Sequence, residues 1–393
     1  MDDEFADLAF RLGRCYAARG KTTDAKQQYV RARDLDSLRF RTDTNSNDVI
    51  RAVAAAHADS GVVLADAERT FERSSPDGLP GEELFHEHVH MTFKGNYVLA
   101  RTIFACIEGL APPALGACRG EKVPPLSEQQ CAERLAYTPW HALKIAETML
   151  PMLAMTPPFT SQLDHRERGK RWLKKVEEMK SRVQTEGVQK LITATHNAVA
   201  ARKEDWMMPL TFAHLLSECR AVRQAEEQFE AAVANLPHNY VARLQLAQFL
   251  LHTGRVAEAN MQFRETLRFA PDYMEAHFGL ASALAAQGDK TEARAICEEQ
   301  LRKGSNRLRA LAQFADFLLQ TGDRKEAEER VREVLRMTPY DTHALQLLGN
   351  LELARGKVDE AIEHYQAALR IWPDWPAVRD QLDKARKLER KAP

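Results

Sequence analysis

The chain has 393 residues, 28% of them charged and 44% hydrophobic, with a formal net charge of −1. This size and apolar content suit two or more soluble domains with adequate cores, and the near balance of charge gives no basic footprint for nucleic acid. The acidic start, Met1 to Phe5, lacks the basic and apolar segments of a secretion signal, and residues 97–118 are interrupted by Arg101, Glu108 and two prolines. They fall short of a membrane span, so a cytoplasmic protein is expected.

In chain order, residues 1–40 hold Leu12, Gly13, Tyr16, Gly20, Ala25, Tyr29 and Ala32, the pattern of a helix hairpin that recurs in the second half of the chain. A lone hairpin cannot bury its own apolar face, so it is expected to pack on something else. Residues 41–115 differ in kind. Residues 47–58 read as a helix with Val49, Ile50 and Val53 on one side, and residues 61–64 as a short buried strand, an α-then-β unit. Residues 77–90 follow, in which His86, His88 and His90 alternate, and then a helix from Met91 to Ala100. Alternate histidines on an extended segment bind a metal only with a further ligand, so no metal site is expected.

Residues 116–190 read as a helical connector. Its first part, 126–164, is broken by Pro157, Pro158, Phe159 and Thr160 before a basic helix over 165–186. Trp172, Leu173 and Val176 place an apolar stripe within the charge run 166–175, which favours packing with a solvated basic face over a binding patch. Residues 191–205 read as the second helix of a degenerate repeat, with Ala198 in place and Lys203 where a proline is expected.

From 206 to 375 one unit is written five times. Gly254, Gly288, Gly322 and Gly356 recur every 34 residues, and each is followed five residues later by Ala259, Ala293, Ala327 or Ala361. The glycine stands where one helix turns into the next, and the alanine lets two helices approach closely. Phe263, Cys297, Val331 and Tyr365 fill a larger slot, and Pro271, Pro339 and Pro373 close three units. The first unit keeps Ala213, Leu216, Ala225, Phe229, Ala232 and Pro237, with Arg220 in place of the turn glycine. Residues 376–393 read as a charged capping helix with Val378, Leu382 and Leu388 on its apolar side. The six cysteines, Cys15, Cys106, Cys118, Cys131, Cys219 and Cys297, contain no Cys-x-x-Cys pair and read as reduced and structural.

The 34-residue register resembles the tetratricopeptide repeat family over roughly 170 residues. The resemblance implies a mainly α fold, an α-solenoid in which helix hairpins wind into a right-handed superhelix. Its concave face, lined by the first helix of each unit, binds proteins or peptides without a cofactor. Carried onto this sequence, the groove positions are Met207, Leu210, His214, Leu244, Gln248, His252, Glu275, Phe278, Arg309, Asp316, Gln346 and Asn350. Repeats that hold the acidic C-terminus of chaperones use lysines that are missing here although Asn350 is present, so a peptide with apolar anchors at Leu244 and Phe278 is expected instead.

Residues 77–100 resemble the last conserved block of SGNH (GDSL-type) hydrolases, through Gly81, Phe85, Glu87, His90, Gly95, Asn96 and Ala100. That resemblance implies a small α/β segment, with His90 as the general base of a serine esterase and Glu87, where the family usually has aspartate, as the acid that orients it. No nucleophile block resembling the family's precedes it. The expectation is therefore an interaction scaffold that is the C-terminal part of a hydrolase-plus-repeat protein, inactive by itself.

Overall fold

The computed structural model describes residues 5–37, 42–87, 89–110, 124–155, 165–304, 306–372 and 375–390. The chain divides into two compact units, Met1–Cys131 and Ala132–Pro393. Both are helical.

In the first unit, α1 (Ala6–Ala18) and α2 (Thr22–Asp34) form the expected hairpin. Gly20 takes a φ of 69°, and a Cβ at Gly13 would lie 2.7 Å from the Tyr29 ring, so the glycine is what lets the tyrosine seat against α1. Leu12, one of the residues of the hairpin pattern, is 41% exposed. The hairpin is tied to its neighbours by charge. The Asp34 carboxylate accepts from the Thr44 backbone N–H at 3.0 Å and from its hydroxyl at 2.6 Å. Arg33 pairs with Glu68, and Arg51 donates to both Asp66 and Glu68. This network joins α2 to α3 (Thr44–Ala56) and α4 (Ala67–Ser74): the hydrogen bond from Arg51 holds the Asp66 carboxyl below its ordinary range, and at Glu68 a larger desolvation is overcome by Arg51 and Arg33 together.

The strand expected at residues 61–64 does not form. A strand needs a neighbour to take its backbone groups. Among the described residues the one β pairing is an isolated bridge between Phe85 and Met91, and the Leu64 carbonyl accepts from the Cys106 thiol at 3.6 Å instead. Val62 and Val63 are about half exposed, as are Val49, Ile50 and Val53, so neither the strand nor the apolar side of α3 is buried as expected. The α/β character expected for residues 41–115 is thus corrected to helix and loop among the described residues of that stretch. The helix α5 (Phe93–Leu110) follows, entered so closely that a Cβ on Gly95 would overlap the Leu84 carbonyl oxygen.

The helix expected over 126–164 is two helices, α6 (Glu128–Arg134) and α7 (Pro139–Met155), with Ala136 at a φ of 50° between them. The proline break lies outside the described residues. Together α7 and α8 (His165–Glu186) make a hairpin in the second unit, and Trp172 and Val176 are buried inside it. At the start of α7, the Thr138 backbone N–H and hydroxyl contact His141 Nδ1, at 3.2 and 2.9 Å, while burial pushes the imidazole down to about 4. Next, α9 (Val188–Ala201) buries Leu191, Thr195 and Ala198 at the head of the array.

Five helix pairs follow: α10 (Met207–Glu218) with α11 (Val222–Asn235), α12 (Tyr240–His252) with α13 (Val256–Phe269), α14 (Met274–Gln287) with α15 (Lys290–Lys303), α16 (Arg307–Thr321) with α17 (Arg324–Met337), and α18 (Thr342–Ala354) with α19 (Val358–Ile371). The alanine of each second helix, Ala225, Ala259, Ala293, Ala327 and Ala361, has 0% exposure. The larger slot beside it is filled in turn by Phe229, Phe263, Cys297, Val331 and Tyr365, all buried. Cys297 is sealed there, its thiol pushed up to about 12 by desolvation. Arg264 with Glu292, an exposed pair of the kind that contributes little, and Arg294 with the partly buried Glu326 join second helices of successive pairs.

One core position departs from the pattern. Leu216, Leu250, Leu284 and Leu318 are succeeded in register by Glu352, which is equally buried and accepts from Arg332 at 3.2 Å with His364 Nδ1 at 2.8 Å. The terminal α20 (Pro376–Glu389) packs through Val378, Leu382 and Ala385, whereas Leu388, expected on its apolar side, is 50% exposed.

Gly254, Gly288, Gly322 and Gly356 turn with φ between 77° and 98°, and Arg220 adopts 58° at the same position. A side chain in this region is strained by about 1–2 kcal/mol, partly offset by the lower entropy of a non-glycine chain when unfolded. Arg220→Gly should therefore stabilise the protein by about 1 kcal/mol, while Gly288→Ala, which meets no neighbouring atom, should destabilise it by about the same amount. Urea midpoints that moved in the same direction for both would refute this. The second expectation concerns acid. His141 binds a proton less readily folded than unfolded, so stability should fall as pH drops from about 6.5 to about 4 and then level off. The loss is about 3 kcal/mol at most, and His141→Asn should remove that part of the pH dependence in chemical denaturation.

Candidate peptide-binding groove

The first helices of successive pairs lie against one another, α12 with α14 and α14 with α16, so their outward side chains form one continuous face. Side chains 34 residues apart sit at equivalent places on neighbouring helices, within reach of each other. Glu275 pairs with Arg309 in this way. Ser282 Oγ donates to Gln320 Oε1 at 3.3 Å, and Gln346 Nε2 donates to Gln381 Oε1 of the capping helix at 3.1 Å. His343, the next residue in the Glu275 and Arg309 series, lies near Asp316 and opposes the rise that burial imposes on its carboxyl. The register could have named Ser282, Gln320 and His343 in advance, since they occupy the same places in their units as residues that were singled out.

The remaining groove positions divide by burial. Met207 and His252 are exposed, and the ring of His252 contacts the Gln248 carbonyl at 2.8 Å. Leu210 is half-buried against the core. His214 stands edge-on to Phe229 at 5.2 Å, its pKa lowered by burial against the opposing pull of Glu218. Asn350 Oδ1 accepts the Tyr365 hydroxyl at 2.7 Å, so its acceptor already serves the repeat's own core.

Leu244 and Phe278, expected as apolar anchors of a ligand, are only 3% and 7% exposed and belong to the main core cluster with Phe249, Phe263 and Met274. Their position on the helix directs a long side chain between adjacent helices instead of out of the face. Apart from Met207 in the first helix, the exposed groove positions are polar. Elsewhere in the array, a cleft of about 370 Å³ opens between α9 and the first pair, floored by Ile192, Phe212 and Leu216.

In the first unit, Glu87 and His90 are together. The Glu87 carboxylate contacts His90 Nδ1 and accepts from the backbone N–H of Val89 at 3.1 Å and of His90 at 2.6 Å. The carboxylate is 3% exposed and the imidazole 57% exposed, an arrangement that fixes the ring and presents its other nitrogen outward. His88 lies outside the described residues, and among the described ones no group of three ligating side chains could hold a metal ion. Nor is any described helix long and apolar enough to cross a membrane.

Residues 210–262, 261–307 and 313–376 match the family model described as tetratricopeptide repeat. No curated protein matches the chain. Among solved structures, a thermophilic tetratricopeptide repeat protein of Thermus thermophilus is 22% identical, with 46% of this chain and 98% of that one covered and a TM-score of 0.39. A tetratricopeptide repeat protein from Parabacteroides merdae is 14% identical over 65% of this chain and 99% of its own, with a TM-score of 0.44. YrrB, a repeat protein with an unusual peptide-binding site, is 21% identical over 49% and 98%, with a TM-score of 0.30.

The placement of Leu244 and Phe278 has a measurable consequence. Phe278→Ala should destabilise the protein by about 3–5 kcal/mol by leaving a core cavity, whereas His252→Ala should change stability by less than about 0.5 kcal/mol. A neutral Phe278→Ala in urea denaturation would return that ring to the ligand face. Buried alanines and turn glycines recur in register through residues 210–307 and 313–376, the stretches that match the tetratricopeptide repeat model.

Proposed function

We propose that the array is a protein-interaction scaffold that takes a polypeptide along the face of its first helices, and not a nucleic acid. The observation that carries this reading is the row of polar side chains, Gln248, Glu275, Ser282, Arg309, Asp316 and His343, running across successive helices of a repeat array. Glu275, Ser282 and Arg309 already bridge to the next helix, which leaves Gln248, Asp316 and the exposed His343 beside it to meet a ligand, and the first two are the partly buried ones. Asp316 makes no hydrogen bond or ion pair among the described residues, and burial raises its carboxyl pKa. A donor supplied by a peptide, whether backbone N–H or a basic side chain, would relieve that desolvation. The preferred ligand is therefore an extended segment with hydrogen-bond donors, in place of one held by apolar anchors.

A peptide array probed with the full chain tests this. Gln248→Ala together with Asp316→Ala should weaken capture about tenfold or more, equivalent to about 1.4 kcal/mol, with the helical circular dichroism unchanged. Equal capture by the native chain and the double variant would exclude this face.

A second reading rests on one contact, that of Glu87 with His90. A carboxylate that orients an imidazole is two-thirds of a serine-hydrolase triad, and the resemblance to the SGNH hydrolases assigns His90 as base and Glu87 as its orienter. The base needs a nucleophile, and the His90 ring makes no hydrogen bond to a serine among the described residues. The chain alone should not turn over aryl acetates above background. Turnover abolished by His90→Ala would establish the hydrolase reading for this chain.

A further inference from the structure

The hairpin of α7 and α8 touches both ends of the repeat array. At one end, Trp140 Nε1 donates to Glu218 Oε2 at 2.8 Å and Lys144 Nζ lies 2.9 Å from Glu218 Oε1. Glu218 closes the first helix of the first repeat, and Trp140 is buried in the same cluster as Leu215 and Leu216. At the other end, the hairpin's apolar interior, which includes Leu143, Leu150, Leu153 and Trp172, also contains Trp372. Trp372 follows the last helix of the fifth repeat, and Trp375 stacks on it with ring centroids 5.0 Å apart.

These anchor points are four repeats apart in the stack. Neighbouring helices pack at about 8–10 Å, so the path along the array from one to the other is several times that spacing. A helix the length of α7 is about 25 Å long. One short hairpin reaches both points only if the stack curves and the hairpin lies as a chord across the curve, on the side of the first helices, where Glu218 stands. We propose that the α7–α8 hairpin is a strap that closes the repeat array by docking Trp372, and that its release opens the ligand face.

The docked state carries a built-in penalty. The Trp372 indole N–H is buried and has no hydrogen-bond partner, so closure leaves a desolvated donor unsatisfied. Burial of the indole and of Trp375 opposes that penalty, and the two terms keep docking reversible. The consequence for ligand access rests on the scaffold reading above. The strap is tested without any ligand, so its failure leaves that reading standing.

The experiment is hydrogen exchange and small-angle scattering on the full chain carrying Trp372→Ala. Amides in α7 and α8 should exchange about tenfold faster or more and the maximum dimension should rise, while α12 to α16 keep their protection. Unchanged exchange in the hairpin and an unchanged dimension would overturn the strap. If α18 and α19 lose protection as well, the substitution has loosened the fifth repeat, and Leu150→Glu, which lies in the hairpin and outside the repeats, decides the matter. It should lengthen the particle to the same extent, and a dimension equal to that of the native chain would refute the proposal.

Discussion

A single alanine in the second helix of each repeat sets the distance at which its helices meet. The five alanines have no exposed surface, so each helix pair packs backbone against backbone at that point, and a side chain of any larger volume would force the pair apart. The neighbouring slot then accommodates phenylalanine, cysteine, valine or tyrosine because facing helices make room for the larger rings, as Gly279 of the next pair does for Phe263. Close contact appears on the facing helix as well, where a Cβ at Gly349 would lie 2.7 Å from the Tyr365 ring. The same device recurs far upstream at Gly13 and Tyr29, with the same separation in sequence.

Where individual repeats depart from this constraint, the structure absorbs the departure locally. Arg220 keeps the left-handed turn of its glycine counterparts because the hairpin dictates the backbone there, at the cost of crowding between its Cβ and the backbone carbonyl. Glu352 keeps the burial of its leucine counterparts by recruiting Arg332 and His364, so an apolar contact between the fourth and fifth repeats is replaced by a charged one. Glu352 is buried while Arg332 stays nearly half exposed, and a buried carboxylate held in this way is no more stabilising than leucine, but it fixes which groups must meet.

The repeats were legible because their constraints are local in sequence: turn, small residue and large residue stand at fixed offsets, and reading them requires no knowledge of distant contacts. The capping helix was legible for the same reason, except at Leu388, which is half exposed. Leu244 and Phe278 are buried in the core because a helix position shared with ligand-facing residues also points between helices when the side chain is long. In the first unit, the segment at Val62 and Val63 has strand composition, yet composition supplies no pairing partner. The ion network of Arg33, Arg51, Asp66 and Glu68 left no periodic trace. The meeting of Glu87 with His90 was legible, since it spans three residues. The meeting of Trp372 with the connector hairpin was not, because it depends on how the whole array curves.

The account stands on packing between successive repeats, and the most direct measurement is the folding of residues 206–390 alone. The fragment should show strongly helical circular dichroism and unfold cooperatively in urea, because each pair buries its apolar ridge against the next. A fragment with little helical signal, or one that lost its repeats singly at widely separated urea concentrations, would contradict it.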